Sequence, residues 1–158
     1  MKQFFYYYYL FLLIFTPLIF VSNTGELFEF PKTFFIYFSA LLCAMVYCID
    51  LVIRYKKPIP LSLPVLFYLS FFILSTITSM HLYTSVWGYY TRFNEGLMSV
   101  LAFIVLYFIA RNKFDSADFD RLSSALLLSI IPAAIYGIFQ YFGILEGKIL
   151  FGERTDRV

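Results

Sequence analysis

Long stretches of apolar residues, broken only by short polar segments, dominate this chain and leave it few ways to fold. A helix needs about 20 apolar residues to cross the hydrocarbon core of a bilayer. Five runs approach or reach that length: residues 4–21, 33–53, 61–80, 97–110 and 122–142. Backbone in hydrocarbon must satisfy its own hydrogen bonds, so such runs are expected as helices. The alternation of apolar and polar residues that marks barrel strands is absent from them. Composition agrees: 61% of the 158 residues are hydrophobic and 14% charged, against the roughly 25% charged of soluble domains. A soluble fold of this size could not hide so much apolar surface, and a disordered chain is excluded for the same reason. The expectation is an all-α, polytopic transmembrane bundle, one unit over residues 1–158, in the membrane lipid bilayer. The formal net charge of +2 gives no basic surface for nucleic acid.

Two runs are ambiguous. The first follows Lys2, as a signal peptide's would, but Phe20-Val21-Ser22-Asn23 lacks the small-x-small cleavage pattern, so an uncleaved first helix is expected. Pro17 lies near the outer end of that helix, where it removes no central hydrogen bond. The fourth run, Leu97 to Ala110, rises only about 21 Å. It reaches further if its helix starts near Asn94 or Glu95, or if the bilayer thins.

Lys and Arg assign the sides. With the N-terminus inside, the inner segments hold Lys2, Arg54, Lys56, Lys57, Arg111, Lys113 and Arg121. The closed outer loops hold only Lys32 and Arg92. This asymmetry predicts a cytoplasmic N-terminus and an outer C-terminal tail; for a bacterial inner membrane, outside means periplasm or cell exterior. The inner loops are then 54–60 and 111–121, and the outer loops 22–32 and 81–96.

Few residues carry chemistry by themselves. Ala125, Ser129, Ala133 and Gly137 recur every four residues and place small side chains on one face of the fifth helix, a packing seam with Gln140 at its edge. Pro132 frees a carbonyl in that helix. Asp50, an acid inside an apolar run, is read as pairing with Arg54 at i+4 or snorkelling to the inner surface. Cys43 and Cys48 face different directions on one helix and serve as apolar fillers. His81 alone makes no metal site and reads as an interfacial residue, with a general base as the other reading. Tyr83, Val86, Trp87, Tyr90 and Leu97 fall at roughly helical spacing, which predicts an interfacial helix leading into the fourth span. Arg92 either pairs with Glu95 in an aromatic anchor or offers its planar donor fork to an anionic headgroup or diphosphate. No metal motif, phosphate-cradling glycine loop or nucleophile elbow is present in the sequence, and no cofactor is expected.

Several segments taken in order carry a resemblance. Glu29-Phe30-Pro31-Lys32 opens the second span. Trp87-Gly88, Arg92 and Glu95-Gly96 precede the fourth. Tyr136-Gly137-Ile138-Phe139-Gln140-Tyr141-Phe142-Gly143 closes the fifth, and Arg157-Val158 follow. This order resembles the N-terminal part of the O-antigen ligase / O-antigen polymerase family over nearly the whole chain. The resemblance implies a multi-span glycosyltransferase, moving a glycan from an undecaprenyl-diphosphate carrier to an acceptor on the outer face of the inner membrane. It implies Arg157, and more weakly Arg92, as diphosphate contacts, where guanidinium groups offset charge on the leaving group. The family's catalytic His lies in a later outer loop and His81 does not match it. The expectation is therefore an incomplete member, inactive alone, that works with further C-terminal spans or a partner membrane protein. The competing expectation is a small non-catalytic assembly or immunity protein associating through the Ala125–Gly137 seam.

Overall fold

The computed structural model describes residues 1–19, 29–54, 58–89 and 95–142, with the side chains of Glu29, Arg54, Tyr136, Gln140 and Tyr141 left undescribed. The described chain is helical, with no β-strand among those residues. The helices are α1 (Lys2–Leu18), α2 (Glu29–Arg54), α3 (Leu63–Ile77), α4 (Leu82–Trp87), α5 (Leu97–Lys113) and α6 (Ser116–Tyr141). By length and composition α2 and α6 are long and apolar enough to cross a membrane.

Local chemistry sets the helix ends and moves several of them from their expected places. The third apolar run yields a helix of only 15 residues. Pro64 sits at its start, and at its end the Thr78 hydroxyl donates to the carbonyls of Leu74 and Ser75. At 1.5 Å per residue α3 is about 22 Å long. The fourth helix does not start early, because Gly96 caps it: the Gly96 carbonyl accepts the amides of Ser99 and Val100. It lengthens at the other end instead, to Lys113, where Arg111 and Lys113 face the negative end of the helix dipole.

The polar segment 111–121 is not the loop its composition predicts. Only Phe114 and Asp115 separate α5 from α6. The Asp115 carbonyl accepts the amides of Asp118 and Phe119, and the Asp115 amide donates to the Asp118 carboxylate at 3.2 Å. This reciprocal capping brings six residues of the segment, Ser116 to Arg121, into the start of α6. Phe114 is buried at the turn, edge-on to Tyr9 at 5.1 Å and to Tyr6 at 6.5 Å.

Helix α1 packs along α6, and α2 along α5. Phe11 stacks on Phe15, and both meet Phe35 of α2, so the aromatic run of α1 ties these helices together. The Tyr9 hydroxyl donates to the Leu106 carbonyl at 2.6 Å, joining α1 to α5. The interior mixes large side chains, such as Phe5, Tyr9, Tyr47, Ile109 and Phe114, with small or polar ones, such as Ser39, Cys43, Ser99 and Ser129. The outward surface is large and apolar, as at Phe38, Leu41, Val52, Phe71, Leu127 and Leu128. Water does not tolerate so continuous an apolar surface, and hydrocarbon does.

Candidate functional site

Between α3 and α5 a set of hydrogen bonds fixes the backbone around α4. After α3, the Ser79 hydroxyl oxygen accepts the His81 amide at 3.2 Å and lies 2.6 Å from the Ser85 hydroxyl, which donates to it. These bonds turn the chain into α4. That helix stops at Gly88, whose amide donates to the Thr84 carbonyl at 2.8 Å. Gly88 has φ 90° and ψ 167°, a conformation that side chains on Cβ almost never adopt. A short helix is thus present over Leu82–Trp87, within the expected stretch, but it stops at Gly88 and does not run on into α5.

Gly88 and Gly96 are both buried, and their backbones meet. A Cβ on Gly96 would fall 2.4 Å from the Gly88 nitrogen and 2.6 Å from the Val86 carbonyl oxygen. The two ends of the stretch 89–95 are therefore held together. Just beneath, the Tyr37 and Ser99 hydroxyls bond at 2.7 Å, which ties α2 to the base of the pinch. Arg92 lies in that stretch by sequence. Its own position, and those of Tyr90 and Arg157, lie outside the described residues, so an Arg92–Glu95 pair cannot be read there. Trp87 and Tyr89 are exposed beside the pinch. His81 is exposed at the start of α4.

The opposite end of the bundle holds the charges. Asp50 is 2% exposed and pairs with Lys113 of α5. The Lys113 ammonium also lies 4.9 Å from the Tyr47 ring centroid and 5.4 Å from that of Phe5. Snorkelling is thereby corrected: this carboxylate is held inside, by a cation from another helix. Lys2 pairs with Asp115 at 2.6 Å and Asp118 at 2.8 Å. The two carboxylates raise the Lys2 pKa, and the Lys2 hydrogen bond holds the Asp118 carboxyl below its ordinary range. The Ile59 amide donates to the Asn112 side chain at 2.7 Å.

On α6, Ser129 is buried, Ala125 and Ala133 are half-buried, and Gly137 is exposed with open space where a Cβ would stand. Among the described helices α6 packs on α1 alone. Cys43 is buried and Cys48 exposed, both as free thiols. No cluster of three His, Cys, Asp or Glu gathers among the described residues.

Lys113 carries no signal of its own in the sequence, because its role exists only across helices. The signal in the sequence is Asp50 itself, since an acid in an apolar run demands a cation at matching depth. Comparison of the chain with family models, curated proteins and solved structures gives no match.

Proposed function

We propose that the chain is a five-span protein of the bacterial inner membrane, N-terminus inside, and forms the N-terminal membrane portion of a glycosyltransferase of the O-antigen ligase / polymerase type. Its part is to hold the diphosphate end of an undecaprenyl-linked glycan at the outer face. The observation that carries this reading is the meeting of Gly88 with Gly96. It brings together the two glycines of the Trp87-Gly88…Glu95-Gly96 motif, and Arg92 lies between them in sequence. A short stretch whose two ends are held together loses less freedom on binding than an open one of the same length, so a guanidinium within it binds an anion at lower entropic cost. Lys2, Asp50, Ile59, Asn112, Lys113 and Asp115 converge at the other end, in keeping with an inner face there.

The test is lipid retention by the purified chain, read by native mass spectrometry with undecaprenyl diphosphate and the phosphate-free polyprenol as probes. The diphosphate is expected to be retained about tenfold over the alcohol, with the preference lost in Arg92→Ala. Equal retention of the two lipids would sink the proposal.

A further inference from the structure

Where α3 ends, the chain carries apolar side chains that the glycan reading leaves without a role. Met80 is 96% exposed, and Leu82, Tyr83, Trp87 and Tyr89 are exposed after it. Single exposed apolar residues are ordinary, but five within the ten residues 80–89 are not. The segment is held to the end of the bundle. The Ser79 hydroxyl ties His81 and Ser85, and Gly88 meets Gly96 at the start of α5. That end lies away from the ion pairs. Ile59, just before α3, is bonded to Asn112 near the end of α5, whereas residues 80–89 follow the last turn of α3. About 22 Å of helix separates the two. Asp50–Lys113 and Lys2–Asp115 belong to the Asn112 side.

The chemistry of the segment identifies its partner. Between Lys57 and Arg92 the chain has no Asp, Glu, Lys or Arg, so no formal charge opposes entry into a low-dielectric phase. Tyr83 and Trp87 stand one turn apart on α4. Like Tyr89, each joins an apolar ring to a polar O–H or N–H tip, and such side chains gather where hydrocarbon meets headgroups. Met80 and Leu82 have no polar tip and suit the acyl side of that boundary. We propose that residues 80–89 dock on the lipid bilayer itself, at the headgroup–acyl boundary of the membrane surface opposite the ion pairs. Met80 and Leu82 lie among the acyl chains, and the rings of Tyr83, Trp87 and Tyr89 lie at headgroup level. This holds the Gly88–Gly96 contact at that depth. The proposal rests on the helices being embedded in lipid, and not on the glycosyltransferase reading.

Trp87 is the only tryptophan of the chain, so its fluorescence reports this segment without a label. The full-length chain is reconstituted in phosphatidylcholine vesicles in which part of the lipid carries bromine, either near the headgroup or near the end of the acyl chains. Acrylamide serves as the quencher from water. Shallow bromine is expected to quench Trp87 about twofold more than deep bromine. Tyr83→Glu sets a carboxylate beside Trp87 and should lower the shallow quenching about twofold, while Tyr83→Phe should keep it. Arg92→Ala should change nothing, which separates this docking from the anion site. Quenching by acrylamide with none by either bromolipid would put Trp87 in water. No quenching by any of the three would put it against a second copy or another protein. Either result overturns the proposal, as does stronger quenching by deep bromine. The parent chain alone yields these outcomes, so they stand even if Tyr83→Glu does not fold. Undiminished shallow quenching in folded Tyr83→Glu would count against the docking as well.

Discussion

Asp50 and Lys113 show how a single residue pair shapes this bundle. Each charge alone would be expensive at that depth, and together they cost far less. Lys113→Met leaves Asp50 without that cation and is expected to destabilise the bundle by about 3 kcal/mol. Asp50→Leu combined with Lys113→Met removes both charges and should recover most of the loss. Thermal unfolding of the three variants in detergent, followed by circular dichroism, measures the coupling. An additive double variant would show that the pair does not act as one unit. The glycines separate as sharply. Gly96→Ala drives a Cβ into the Gly88 backbone and should cost about 1–3 kcal/mol. Gly137 meets open space in mid-helix, so Gly137→Ala should raise stability by about 0.5–1 kcal/mol. The same unfolding experiment reads both signs. The two glycines look alike in sequence, because a glycine carries no mark of what its missing side chain would have struck.

At the scale of elements, the end contacts matter more than the helix interiors. The start of α6 is fastened to the start of α1 by Lys2 on Asp115 and Asp118. Asp118 titrates below its ordinary 3.8, so its contribution is complete above that pH and is lost as acid carries the solution through the lowered value. Lys2 titrates above its ordinary 10.5, so its contribution is complete below that pH and is lost as alkali carries the solution through the raised value. Between these limits the pair is pH-independent. The effect is small because the ion pair lies at the surface. A profile of melting temperature against pH should therefore fall less steeply below pH 3.8 in Lys2→Gln than in the parent chain, and the two should run parallel near neutrality. A difference confined to neutral pH would contradict this account. The α5–α6 turn also shows what composition cannot deliver. Residues 111–121 are polar enough to be a loop, yet capping by Asp115 and Asp118 turns most of them into helix. Apolar content marks what must be buried in lipid, while helix ends obey hydrogen bonding.

For the whole molecule, α2 and α6 have the length of membrane-crossing helices, and α1, α3 and α5 are shorter. Their 17, 15 and 17 residues correspond to about 22–26 Å. If all five cross, the local bilayer thins or the helix-flanking residues complete the passage. Reporter fusions test the arrangement. Alkaline phosphatase is expected to be active when fused after Gly88 and inactive after Ile59 or Asp115, with a fluorescent protein giving the opposite pattern. Phosphatase activity after Ile59 would overturn the inside assignment of that end.

What the sequence determined by itself is the solvent of this protein and the periodic form of its chain. Its apolar runs are too long and too many for water, and backbone in hydrocarbon has little choice beyond the helix. It also showed the asymmetry of Lys and Arg, and the small-residue stripe of α6. Tertiary structure decided what touches what. It chose Lys113 for Asp50, brought Gly88 against Gly96, and left Gly137 facing open space while Ser129 was covered. Those outcomes depend on distances between helices that are far apart in the chain. Hydrophobicity and periodicity are properties of a segment, and a contact is a property of two segments packed together.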